Sequence, residues 1–419
     1  MDMDSICSKL KKAASTLCLH SGEQKNTALK SASDAILHSK VDILAANAID
    51  VDIARKNGMS EALVERLALD ERKFASILEG IDTVIRQSDP VGKLMSGWTA
   101  PNGMQIRQVR VPLGVAAIIY ESRPNVTADA FALAYKSANA ILLRGSSSAL
   151  NSNRAIVVAI KQGLKAAGEN GVEDALFLCE SGERSEVGEI LAATGKIDVV
   201  LPRGSAKLIN FVTQNAKVPV IQTGAGVCHL YVDESADIQK AAAIAQNAKM
   251  QRPGACNAIE TILVNERVAD AFLASLSKVF AQKVQIRADE RCFKILQRLG
   301  YTNLLAATDG DFGFEFLDYI VAIKTVGSVD EAVAFINSHG TKHSECIATN
   351  DLSHAQKFQS EIDAACVYVN ASTRFTDGGV FGFGVELGIS TQKLHARGPM
   401  GAEALTTTKF LIEGDGHIR

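Results

Sequence analysis

Val115-Ala116-Ala117-Ile118-Ile119-Tyr120 is an unbroken apolar run that stops at Glu121, and Ile141-Leu142-Leu143 repeats the device after a helical stretch. Ala175 to Leu178 and Val199 to Leu201 continue the series. Strands covered on both faces read as continuous apolar runs, and their alternation with helical stretches predicts a parallel sheet. A second set follows Cys256: Ile259 to Val264, Ile320 to Val326, Cys346 to Thr349 and Cys366 to Val369, around helices such as Asp330 to Ser338. The fold class is therefore α/β, with two parallel-sheet domains joined near residue 250.

Outward from these strands the rhythm changes. From Ser5 to about Gln87 apolar residues recur at helical spacing, as in Ile6, Leu10, Ala13 and Leu17, with Asn57-Gly58 as a break. Gln105 to Val111 alternates as a half-exposed strand does, and Leu405 to Ile412 forms an isolated strand near the end. Together they predict a small two-stranded arm that needs a partner subunit. The glycine-rich stretch Asp377 to Gly388, interspersed with Val and Phe, reads as an ordered loop.

The 44 basic and 47 acidic side chains among 419 residues leave a net charge of -3, so no global field favours nucleic acid or an anionic membrane. No segment reaches the roughly 20 apolar residues of a membrane-spanning helix, and the first residues lack an export signal. A cytoplasmic address is expected. Eight scattered cysteines without a CxxC pair suit reduced thiols.

Gln251-Arg252-Pro253-Gly254-Ala255-Cys256-Asn257 follows the end of a helix. Pro253 and Gly254 force a turn, Arg252 brings a charge that favours thiolate, and Asn257 adds an amide. The residues alone leave two readings, a nucleophile or a buried structural cysteine at an interdomain turn. Ser338-His339-Gly340-Thr341-Lys342-His343-Ser344-Glu345-Cys346 has the spacing of a zinc half-site, but zinc needs three or four ligands and no second cluster is in view, so no metal is expected. An anion-binding turn and a capped helix end are the alternatives. Arg144-Gly145-Ser146-Ser147-Ser148 lies between a strand and a helix, where it either receives phosphate or caps the helix. Arg203-Gly204-Ser205-Ala206-Lys207 poses the same choice. Thr223-Gly224-Ala225-Gly226 lacks the third glycine of a dinucleotide fingerprint.

Glu121-Ser-Arg-Pro-Asn125, the segment QRPGACNAIET around Cys256, HGTKHSE from His339 to Glu345, and FGFGVELGISTQKLHARGPMG from Phe381 to Gly401 closely resemble the γ-glutamyl phosphate reductase family of the aldehyde dehydrogenase superfamily. The resemblance spans the chain. It implies an aldehyde dehydrogenase-like fold: a cofactor-binding domain over 1–250 with an arm strand at about 104–112, a catalytic domain over 251–372, and a segment 373–419 returning to the cofactor domain and a small β oligomerisation arm. It also implies an oxidoreductase of proline biosynthesis that uses NADPH to reduce L-glutamyl 5-phosphate to L-glutamate 5-semialdehyde with release of phosphate.

By the same resemblance Cys256 falls on the catalytic cysteine, and Asn125 is the counterpart of an amide that helps hold the oxyanion. Arg144 is expected near the adenosine ribose or its phosphate. Ser147 stands where NAD-preferring relatives often carry an acid that would repel a 2'-phosphate, which favours NADP. Ser146, Gly204 and Ser205 complete the expected cofactor set, with Glu315 on the nicotinamide ribose. Gln222 stands where oxidative relatives have a glutamate that activates water, and glutamine has no useful basicity. Arg252, His339 and His343 are candidates for the departing phosphate, and Arg374 for the amino-acid end of the substrate. A homo-oligomer and a glutamate 5-kinase partner are expected. The rival readings are an oxidative NAD-dependent aldehyde dehydrogenase and a noncatalytic binding protein on the same fold.

Overall fold

The computed structural model describes residues 2–181 and 183–419. The chain divides into two compact units, one comprising 1–223, 382–388 and 394–419, the other 224–381 and 389–393. The boundary thus falls at Thr223/Gly224 rather than near 250, because the strand Cys228–Val232 belongs to the second unit's sheet.

The first unit opens with five helices, Met3–Leu17, Gly22–His38, Lys40–Lys56, Glu61–Leu67 and Glu71–Arg86. Their starts are chemically marked: Ser21 and Gln24 form a capping box, and Asp70 accepts from the Lys73 N–H at 2.7 Å. Strands β1 (Leu94–Thr99) and β2 (Gln105–Pro112) follow, then β3 (Val115–Tyr120), β4 (Ala140–Arg144), β5 (Leu176–Leu178) and β6 (Val199–Arg203). The last four form a parallel sheet in the order β5-β4-β3-β6. The order reverses between β3 and β6, and at such a switch the strand ends make room for a ligand. β3 is buried at all six residues, as its unbroken apolar run requires.

The arm has three strands, not two. β2 pairs antiparallel with both β1 and the C-terminal strand Thr406–Glu413. β1 escaped the sequence reading because Ser96 and Gly97 interrupt it and all six of its residues are exposed.

The second unit is built on one seven-stranded parallel sheet: β7 (Cys228–Val232), β8 (Ile259–Asn265), β9 (Gln285–Ala288), β10 (Leu304–Ala306), β11 (Ile320–Val326), β12 (Ser344–Ala348) and β13 (Cys366–Val369). The order is β10-β9-β11-β8-β7-β12-β13, which puts β7 and β8 near the centre. Helix Ile238–Met250 joins these two and ends where the Cys256 segment begins. Among the described residues no helix is long and apolar enough to cross a membrane.

Helix packing in the first unit depends on Gly163, in helix Leu150–Ala166. A Cβ there would lie 2.5 Å from the Ala32 Cα and 2.5 Å from the Ser31 carbonyl oxygen, while Ser31 Oγ donates to the Gly163 carbonyl at 2.7 Å. Gly163→Ala should cost about 1–3 kcal/mol, the usual range for overpacking. Denaturant unfolding checks this, and a neutral result would show that the two helices part freely.

Candidate active site

Cys256 stands on the turn between helix Ile238–Met250 and β8, and is half-buried. Cys18 is exposed and the other six cysteines are buried. Burial pushes the thiols of Cys179 and Cys346 up to about 12 and that of Cys228 well above its ordinary value, which makes them poor nucleophiles.

The turn is braced from several directions. Lys249, at the end of the helix, and Glu260, on β8, form an ion pair of 2.6 Å in which both side chains are fully buried. Burial opposes both charges, lowering the Lys249 pKa and raising the Glu260 carboxyl to about 7. Breaking such a pair typically costs ~3–5 kcal/mol, because the survivor is left buried and alone. Within the turn, the Asn257 Nδ2 donates to the Thr376 carbonyl at 2.8 Å, and Thr373 Oγ1 donates to the Asn257 carbonyl at 2.6 Å. Asn257 is buried and structural rather than an amide facing a substrate.

Arg374 also braces the turn. Its Nε donates to Gln251 Oε1 at 3.0 Å and its guanidinium to Asn257 Oδ1, so one side chain ties residues on both sides of Cys256. Burial and the charge of Arg252 lower the Arg374 pKa, whereas Cys256 and Asp377 raise it. Arg252 is exposed. Two cations therefore share the surroundings of the sulfur.

Beneath the turn runs the segment leading into β7, and each residue of it is gripped. The Gly226 N–H donates to Glu315 Oε1 at 2.7 Å, and the Val227 N–H to Thr341 Oγ1 at 2.9 Å. The Cys228 Sγ donates to the Cys256 carbonyl at 3.3 Å, and the His229 N–H donates to Glu345 Oε2 at 2.7 Å. A Cβ on Gly226 would overlap the Cys256 carbonyl. The backbone of residue 226 supports the backbone that carries the sulfur.

Glu315 thus joins the Cys256 surroundings. The histidines of HGTKHSE part company. His339 stacks on the Phe335 ring at 4.0 Å, with its Nδ1 2.9 Å from the Phe335 carbonyl oxygen. His343 is fully buried, with Nδ1 2.8 Å from Ser344 Oγ and 3.7 Å from Cys228 Sγ. Burial lowers its pKa to about 4. Burial thus favours the neutral imidazole near pH 7 over the protonated form that would hold phosphate. Among the described residues no group of three possible metal ligands assembles.

In the first unit, both helix N-termini read as phosphate sites already hold carboxylates. Asp50 accepts from the Ser152 N–H at 2.8 Å, from Ser152 Oγ at 2.6 Å and from Asn151 Nδ2 at 2.8 Å, at the start of helix Leu150–Ala166. Glu121 accepts from the Ser205 N–H at 2.7 Å and from Ser205 Oγ at 2.8 Å, and lies where a Cβ on Gly204 would collide with it. In this structure an internal anion thus occupies the N–H and hydroxyl of Ser205. Ser146 Oγ accepts from the Ser148 N–H at 3.3 Å, a capping role, and Ser147 is exposed. Arg144 donates to the Glu183 carbonyl at 3.1 Å and lies 4.0 Å from Glu186. Glu183 and Glu186 line an acidic cavity of ≈ 560 Å³ together with Glu180, Glu189, Phe177 and Leu178. Asn125 opens helix Asn125–Lys136, and its Nδ2 donates to Asp129 Oδ2 at 3.0 Å.

The aldehyde dehydrogenase family model matches residues 1–292 and 319–410. The chain belongs to the aldehyde dehydrogenase family. It is 50% identical over 413 residues to the γ-glutamyl phosphate reductase of Alkaliphilus oremlandii, covering 99% of this chain and 98% of the relative. It is 49% identical to that of Dictyoglomus thermophilum, over the whole length of both. The crystal structure of γ-glutamyl phosphate reductase from Thermotoga maritima superimposes with a TM-score of 0.96, at 46% identity and full coverage of both chains. The resemblance read from Glu121–Asn125, the Cys256 segment, HGTKHSE and the C-terminal run is borne out, as is the aldehyde dehydrogenase-like α/β fold.

Sequence reasoning passed over Gly226, Glu345, His229 and the Lys249–Glu260 pair. Gly226 was visible only as part of a failed dinucleotide fingerprint. Glu345 lay inside HGTKHSE, where the histidines drew attention.

The His343 environment has a pH consequence. A folded-state pKa near 4, below the ordinary 6.5, means that the unfolded chain binds a proton at this residue that the folded chain refuses. Stability should be intact above about pH 6.5 and fall as pH drops toward 4, by roughly 3 kcal/mol from this residue. His343→Gln should flatten that part of the stability profile, measured by unfolding at pH 7 and pH 4.5. An unchanged slope would contradict the burial of a neutral imidazole.

Proposed function

We propose that this chain is a γ-glutamyl phosphate reductase: with NADPH it converts L-glutamyl 5-phosphate to L-glutamate 5-semialdehyde and phosphate, the second step of proline synthesis from glutamate. The observation that carries the reading is the half-buried Cys256 on a turn braced at both ends, in a chain matching enzymes of that name from end to end.

In the proposed reaction the Cys256 thiolate attacks the γ-carbonyl carbon. The new C–S bond forms as the carbonyl electrons move to oxygen. When the oxyanion collapses, the C–O bond to phosphate breaks and phosphate leaves with the electron pair. Phosphate is a good leaving group, so a cation is needed more than an acid; Arg252 and Arg374 are the candidates. A backbone N–H of the Cys256 turn and the Asn125 amide are read as donors to the oxyanion. NADPH, when bound, supplies the hydride that takes the thioester to the aldehyde oxidation level, and Arg144 is read as holding its adenosine phosphate end. Expulsion of the thiolate then frees the semialdehyde. Gln222 has no base to offer water, so the thioester is spared hydrolysis.

The same reading places the enzyme in the cytoplasm, with a glutamate 5-kinase supplying its labile substrate. It assigns the arm to contact with a second copy of the chain. Leu94, Trp98, Phe410 and Ile412 are exposed on that sheet, with the Trp98 and Phe410 rings edge to face at 6.1 Å.

The reverse reaction is the test. Semialdehyde, phosphate and NADP should yield NADPH; omission of phosphate should abolish it, and Cys256→Ala should reduce it by about a thousandfold or more. NADPH formation at equal rate without phosphate would instead mark an oxidative aldehyde dehydrogenase, and indifference to Cys256→Ala would reject the nucleophile.

A further inference from the structure

Residues 313–317 carry Glu315 toward β11, and little apolar packing holds them: Phe314 and Leu317 are exposed, and Phe316 meets the Arg287 guanidinium at 4.9 Å. Leu317 has a φ of 56°, in the left-handed region that a leucine adopts only when its surroundings fix the backbone. Among the described residues two hydrogen bonds leave this stretch, and both end beside Cys256. The Leu317 N–H donates to Glu260 Oε1 at 3.2 Å, and Glu315 Oε1 accepts from the Gly226 N–H at 2.7 Å. Glu260 Oε2 is held by Lys249 Nζ at 2.6 Å. Glu260 therefore has one oxygen on the helix before the Cys256 turn and the other on the stretch that bears Glu315. The contacts close into a ring. Cys256 leads into β8 and Glu260, Glu260 fixes Leu317, the nearby Glu315 fixes Gly226, and Gly226 lies against the Cys256 carbonyl, where a Cβ would come within 1.5 Å of the oxygen. Every member belongs to the second unit.

We infer that Glu260 is a positioning residue for Cys256, acting through Leu317 and Glu315 as well as through Lys249. The inference rests on the Cys256 chemistry proposed above and adds a residue that sets where the sulfur stands. A closed ring of contacts permits fewer displacements than an open one. Cut at Leu317, it leaves Glu315 on an exposed loop, and the contact between Gly226 and the Cys256 carbonyl loses its support. The role belongs to the accepting oxygen rather than to the charge, so a neutral amide can fill it and an apolar side chain cannot. Replacing Lys249 together with Glu260 avoids stranding a buried charge.

The experiment measures kcat of the folded protein in the reverse reaction, with semialdehyde, phosphate and NADP, alongside thermal unfolding. K249M/E260L, which removes the ion pair and the acceptor, should lower kcat about 10- to 100-fold and move KM for the semialdehyde by less than about threefold. K249M/E260Q, whose amide oxygen can still accept from Leu317, should restore most of that loss. L317P cuts the same bond from its exposed end and should lower kcat to a similar degree, whereas L317G keeps both the N–H and the left-handed backbone and should not. A natural protein without phosphate-dependent turnover would overturn the proposed function and this inference with it. With the natural protein active, an unchanged kcat in L317P, or equal losses in K249M/E260L and K249M/E260Q, would overturn the Glu260 assignment alone, and lower unfolding temperatures without a change in kcat would reduce Glu260 to a structural role.

Discussion

The Cα of Gly226 lies so close to the Cys256 carbonyl that no side chain fits between them. The rest of the Cys256 surroundings depends on this contact, because it sets the height of the turn above β7. Gly226 is not in the left-handed region, so space alone demands glycine there. The neighbouring polar groups hold the contact in place: Glu315 and Thr341 fix the N–H groups of residues 226 and 227, and Cys228 donates to the same Cys256 carbonyl. One rigid strand entry thus carries the turn, and the ion pair of Lys249 and Glu260 closes it from behind.

Such bracing matters for a nucleophile. Covalent catalysis needs the attacking atom held near the productive position, and small displacements are expensive in rate. Arg374 serves the brace and the electrostatics at once, since its guanidinium bonds to residues 251 and 257 while its charge is coupled to the sulfur. The amino-acid grip that the sequence suggested for Arg374 competes with these bonds.

The sequence made the parallel sheets legible because strands such as Val115–Tyr120 and Ile259–Asn265 are buried throughout and are written in apolar residues. It hid β7, where His229 interrupts the run; that imidazole is fully buried because Glu345 bonds both its Nδ1 and its backbone N–H. A tertiary partner on a distant strand leaves no local periodicity to read. β9 was hidden by Gln285 and Arg287 for a similar reason, with Arg287 paired to Asp311. At the site, Cys256 was legible from its turn chemistry and from family resemblance. Ser205 was read as a phosphate donor from its local motif, and Glu121, which stands 84 residues away in sequence, occupies its N–H and hydroxyl in this structure. Local motifs show where donors are available, not whether another part of the chain has taken them.

The most direct test of this account is Gly226→Ala, followed by single-turnover acylation of Cys256 and by thermal unfolding. One methyl group should displace the turn and slow acylation by about 100-fold or more while the protein still unfolds cooperatively. Acylation within twofold of the natural protein would show that the turn does not rest on Gly226, and would contradict the account.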